Sequence, residues 1–202
     1  MPARKPFITW VLANMAGFIA VAAAFLALTW LASRAAQAGS PRAGVSGVAA
    51  FGFVVAIPLA LIQWLALRRI ARVSPLWVLT IPAGLLMAAL IFRAIPERLW
   101  EIVDGESTPV LTALFAILGL AVGLPQWLLL RHSYPHAFVW PVASAAGVAG
   151  GFAFVLASGL INASEVLSYV VVVVVYSCVT GLILAWLQGQ SSATSGALLE
   201  GA

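Results

Sequence analysis

Charge is what this chain most lacks: Asp, Glu, Lys and Arg together make up 8% of its 202 residues, where a soluble domain carries about a quarter. The few charges fall at the ends of long apolar stretches, and no carboxylate, Lys or Arg stands inside one. Ionisable groups within a membrane mark proton relays and ion paths, so their absence argues against proton-coupled or ion-coupled transport. Cysteine occurs once, as Cys178 in the last apolar stretch. One thiol excludes an internal disulfide and a thiolate metal cluster. Histidine occurs twice, as His132 and His136 in RHSYPHAF. A spacing of four suits metal binding on a helix, but Pro135 interrupts any helix there, and no Cys or carboxylate stands nearby to complete a ligand set. No hydrolase elbow, phosphate-binding Gly loop or zinc-protease motif is present. No catalytic, cofactor-binding or metal-binding residue can be assigned, and any cofactor is left unknown.

What is present is apolar: 63% of residues are hydrophobic and the mean hydropathy is +1.10. Six stretches, 8–32, 45–67, 76–92, 110–130, 138–161 and 168–187, each approach the ~20 residues that cross a bilayer as a helix. The expected fold is an all-α integral membrane protein of six transmembrane helices, because a lone strand in lipid cannot satisfy its backbone. That holds even for the β-favouring run Val170 to Val175. The first stretch follows Arg4 and Lys5 as a signal peptide would, but it is longer than a signal h-region of about 7–15 residues. It is read as a retained first helix. The formal net charge of +4 comes from ten basic residues scattered over helix ends, which is no nucleic-acid footprint. Arg4, Lys5, Arg68, Arg69, Arg72 and Arg131 fall on one side, Arg34, Arg42, Arg93 and Arg98 on the other. The positive-inside rule makes the first side cytoplasmic, together with both termini; a bacterial inner membrane is the expected location.

A Gln-centred pattern recurs through these stretches. AIPLALIQWLALRR surrounds Gln63, GLAVGLPQWLLLRH surrounds Gln126, and GLILAWLQGQ surrounds Gln188. Small residues precede each Gln by seven and by three positions: Ala56 and Ala60, Gly119 and Gly123, Gly181 and Ala185. Between them, Trp10, Trp77 and Trp140 are each followed seven residues later by Gly17, Gly84 and Gly147. The chain reads as three parallel helical hairpins, approximately 8–72, 75–136 and 138–190, around a pseudo-threefold axis; residues 191–202 are expected to form a disordered tail. Both recurrent faces are placed inside the bundle, where small residues let helices approach and amides hydrogen-bond across them. Gln63, Gln126 and Gln188, with Asn14 and Ser144 four residues after their Trp, are the expected polar packing positions. Trp10, Trp64, Trp77, Trp100, Trp127 and Trp140 all fall near span ends and are expected in the aromatic belts. Pro58 and Pro82 are expected to kink their helices, and AIPERLWEIVDGESTP to contain a short interfacial helix or a solvated loop. Asn162-Ala163-Ser164 fits a glycosylation acceptor.

The pattern small-xxx-small-xx-Gln-Trp-x-x-Leu-Arg, fullest at Gly119, Gly123, Gln126, Trp127, Leu130 and Arg131, resembles that of uncharacterised bacterial polytopic membrane proteins built from repeated hairpins. The resemblance spans most of the chain and implies a fold without implying an activity. The expected role is non-enzymatic: an accessory or assembly subunit of a larger complex, respiratory or photosynthetic, in contact with membrane lipids and other integral membrane subunits. A small channel or facilitator for a neutral or lipidic solute, with the axis as its path, is the alternative. Small residues crowd the fifth stretch, and Ala149 and Gly151 are its expected docking positions for a partner. Arg68, Arg69, Arg72 and Arg131 are the expected holders of an anionic lipid headgroup.

Overall fold

The computed structural model describes residues 4–37, 56–71, 73–95, 108–160 and 164–200. Among them every regular element is helical: α1 (Arg4–Gln37), α2 (Ala56–Leu67), a 3₁₀ turn (Pro75–Leu79) leading into α3 (Thr80–Ala94), α4 (Thr108–Leu130), α5 (Val139–Ala157) and α6 (Glu165–Glu200). Four segments are long and apolar enough to cross a membrane: Pro75–Ala94, Thr108–Leu130, Val139–Ala157 and Leu167–Gln190. Shorter apolar helices cover Lys5–Val21 and Ala56–Leu67. This is a multi-pass membrane protein. The valine run lies within α6, as the bilayer's demand for internal hydrogen bonds requires. Arg72, residues 96–107 with Trp100, and Asn162 lie outside the described residues.

Local chemistry sets the helix starts. Ser74 precedes Pro75, and its hydroxyl accepts from the Leu76 amide at 3.2 Å, so a cap and a proline open the turn together. Pro82 falls in the first turn of α3, where the missing amide hydrogen has no partner to lose, and no kink is required of it. The proline set inside a helix is instead Pro125 of α4. It frees the carbonyl of Ala121 four residues back, which stands 2.9 Å from where a Cβ on Gly84 would lie.

Each helix packs on the next. Leu59 of α2 lies against Gly17 of α1, Ala56 and Ala60 of α2 cluster with Ile81 of α3, and α3 packs on α4, α4 on α5 and α5 on α6. Then α6 returns to α1. The six helices close a ring, and a cluster of buried residues, Trp10, Leu67, Val73, Trp77, Leu130, Tyr134, Ala137, Trp140, Leu184 and Leu187, fills the end where the α2–α3 and α4–α5 loops lie. Outside, Leu12, Ile19, Leu90, Val142 and Leu182 are each more than 60% exposed. Such a surface is stable against lipid and a liability in water.

Candidate functional site

Three tryptophans meet at the centre of the ring. Trp10, Trp77 and Trp140 are fully buried and touch edge to face, with centroids 5.6 Å apart for Trp10–Trp140 and 6.3 Å for the other two pairs. Interplanar angles of 72–83° set the positive edge of each ring against the negative face of a neighbour, the preferred aromatic arrangement. The expectation that these three belong to an aromatic belt is corrected: Trp10, Trp77 and Trp140 point inward, and of the expected belt residues that are described, Trp64 and Trp127 keep a half-buried position at the helix ends.

A buried indole N–H needs an acceptor, and each finds one on an even-numbered helix. The Trp77 N–H donates to Gln63 Oε1 at 3.3 Å and the Trp140 N–H to Gln126 Oε1 at 2.8 Å, both across 14 residues of sequence. The Trp10 N–H donates to Thr180 Oγ1 at 2.9 Å. Gln188, expected as the third member of this set, is not there. It is half-buried two turns further along α6 and donates to the Ile70 carbonyl at 3.2 Å and the Tyr134 hydroxyl at 3.4 Å. Burial raises the Tyr134 phenol above its ordinary pKa, and the bond to Gln188 works in the opposite direction.

Glycine contacts follow the same register. A Cβ on Gly17 would meet Leu59, on Gly84 would meet Val122, and on Gly147 would meet Tyr176. Each partner stands four residues before the acceptor, Gln63, Gln126 or Thr180. Four residues after each acceptor come Leu67, Leu130 and Leu184, all fully buried. Thr180 thus occupies the position that Gln63 and Gln126 hold, and the apparent register at Gly181, Ala185 and Gln188 runs eight residues late. The missed residue was Thr180, which the sequence sets close behind two other hydroxyl-bearing residues, Tyr176 and Ser177.

The polar set is completed in one place and broken in another. Gln63 uses both ends of its amide, its Nε2 donating to Asn14 Oδ1 at 2.8 Å, and Asn14 in turn donates to the Trp10 carbonyl at 2.9 Å. Gln126 uses only its oxygen: its Nε2 and the Ser144 hydroxyl are buried without hydrogen-bond partners. The Tyr176 hydroxyl faces both groups but falls short of hydrogen-bond geometry with either. The position matching Asn14 in the second hairpin pattern is Ile81, which can accept nothing.

The remaining motif residues sort by helical face. Arg68 lies over the Trp64 ring at 5.2 Å and Arg131 over the Trp127 ring at 5.8 Å, cation–π contacts one turn apart in sequence. Arg69 is exposed and lines a separate groove. On α5, Gly151 is buried, with Val172 Cα 2.8 Å from its would-be Cβ; it is a contact within the chain, and Ala149 is half-buried. Small residues turned outward near the middle of α5 are Ala146 and Gly150. His132 and His136 are exposed on turns, with the His136 ring 5.9 Å from that of Trp186. Among the described residues no three His, Cys, Asp or Glu side chains gather.

Indoles and carboxamides of this kind hold helices together. No family model, curated protein or solved structure matches the chain.

Proposed function

We propose that the chain is a non-enzymatic, six-crossing protein of the bacterial inner membrane, with both termini cytoplasmic, that serves as an accessory or assembly subunit of a larger membrane complex. Its hairpins are α1–α2, α3–α4 and α5–α6, related by a pseudo-threefold axis through the tryptophan triangle. The threefold reading is supported by three Trp-to-acceptor bonds, three glycine contacts and three buried leucines in one register. The closing bond, from Trp10 to Thr180, joins the last hairpin to the first.

The observation that carries the role is the triangle itself. Three fully buried rings in mutual contact fill the axis, and the polar groups around them bond helix to helix. A solute path along the axis would have to part them. The lipid-facing surface is left to act, and in lipid association depends on close approach at small residues. Ala146 and Gly150, spaced by four and turned outward on α5, are the proposed docking positions.

Purification from native membranes in mild detergent tests the role. A stoichiometric membrane partner should accompany the protein, and Ala146→Leu and Gly150→Leu should release it while the protein stays monodisperse. A partner-free protein that passes solute in liposomes would overturn the reading.

A further inference from the structure

A groove of about 410 Å³ runs between α1 and α2, lined by Thr9, Leu12, Ala13, Ile62, Leu65 and Arg69. Such a volume suits one small ligand or part of a larger one. The groove is open along one side, and Leu12 and Leu65 at its edge are 62% and 39% exposed, so in a bilayer its apolar length faces acyl chains. Its polar groups stand together at one end, because α1 and α2 run antiparallel: Gln63 bonds Asn14, which brings Thr9 level with Arg69. Lys5, exposed and one turn before Thr9, adds a second cation at that end.

Arginine placement separates this site from its neighbours. Arg68 and Arg131 lie on their own tryptophans, whereas Arg69 lines the groove and has no Arg or Lys counterpart in the second Gln-Trp-x-x-Leu-Arg pattern, where His132 follows Arg131. The proposed topology puts five of the six acidic residues, Glu97, Glu101, Asp104, Glu106 and Glu165, on the opposite side of the membrane, and the sixth, Glu200, at the far end of α6 on the groove's side. An apolar slot in the bilayer with a guanidinium and a hydroxyl at its interfacial end matches an acyl chain joined to an anionic headgroup, and in a membrane the abundant form of that chemistry is a phospholipid.

We infer that the α1–α2 groove binds one anionic glycerophospholipid, its acyl chain along Leu12, Ala13, Ile62 and Leu65 and its phosphate held by Arg69 and Thr9. The inference rests on the membrane topology above and is independent of any partner protein. Arg forks pair with phosphate oxygens bidentately, and juxtamembrane cations favour anionic lipid.

The test is native mass spectrometry of the purified protein from nanodiscs of equal phosphatidylglycerol and phosphatidylcholine. Wild type should retain one phosphatidylglycerol preferentially, and Arg69→Gln should lose about fivefold of that preference, as the contribution of a single interfacial cation implies. Arg93→Gln, the same charge change at the far end of α3, should leave it intact. Leu12→Trp, which fills the slot, should lower retention of both lipids alike. Should Arg69→Gln fail to stay monodisperse, wild type at raised salt gives the same reading, since screening must erode the preference. Equal retention of the two lipids by wild type, equal losses in Arg69→Gln and Arg93→Gln, or displacement by inorganic phosphate would each overturn the inference. Reporter fusions that contradict the topology sink the parent reading separately.

Discussion

Gln63 and Gln126 look alike in sequence and do unequal work in the fold. Each accepts an indole N–H, but only Gln63 also donates, to Asn14. A hydrogen bond between membrane helices is worth about 0.6 kcal/mol on average and up to ~2 kcal/mol. Gln63→Leu breaks two such bonds and strands the Asn14 oxygen, whereas Gln126→Leu breaks one and removes a buried donor that has no partner. Gln63→Leu should therefore destabilise more, by about 1 kcal/mol, measured as thermal unfolding in detergent. Ile81→Asn, which restores the first hairpin's polar position beside Gln126, should make Gln126→Leu costlier in a double-mutant cycle; strict additivity would remove the proposed equivalence of Ile81 and Asn14. At this scale the sequence was legible where a polar residue stood alone in apolar surroundings, as Gln63, Gln126 and Asn14 do. It misled where polar residues were crowded: Gln188 matched the spacing rule, but only three-dimensional register distinguishes it from Thr180.

Helices in this protein approach through glycine, and the approaches differ in what blocks them. A Cβ on Gly84 would lie 2.5 Å from Val122 Cα, a backbone atom that cannot move alone, whereas on Gly17 it would meet the tip of the Leu59 side chain, with Leu59 Cα at 3.4 Å. On Gly150 the nearest atom is 3.9 Å away. Gly84→Ala should cost about 1–3 kcal/mol, as overpacking does, Gly17→Ala less, and Gly150→Ala almost nothing. Unfolding temperatures of the three variants in one detergent check the order; a Gly84→Ala protein as stable as wild type would mean that α3 and α4 are not so closely apposed. Element types and most span limits followed from hydropathy alone, since lipid admits few alternatives to helix. Side-chain direction did not, because apolar residues surround every helix and leave no amphipathic face to read. Trp10, Trp77 and Trp140, placed by composition rules at the interface, turn inward for that reason.

For the whole molecule the positive-inside asymmetry predicts sidedness that the fold alone does not carry. Reporter fusions after Arg72, after His136 and at the C-terminus should read cytoplasm, and fusions near Gly39, Gly105 and Asn162 the opposite compartment. An odd number of crossings would end both this topology and the hairpin triplication, because each hairpin returns the chain to its starting side.

The bond from Trp10 to Thr180 makes the last helix a neighbour of the first, so the contacts around the ring contain no seam that the peptide chain must respect. Sequence order then becomes only one of three cyclic orders compatible with the same set of contacts. A circular permutant that starts at Ser74, with a flexible linker from the end of α6 to the start of α1 and a new break in the α2–α3 loop, keeps every Trp–acceptor pair and should insert and fold as the parent does. Its melting temperature and its rate of insertion would report separately on the finished ring and on the order in which the ring is assembled.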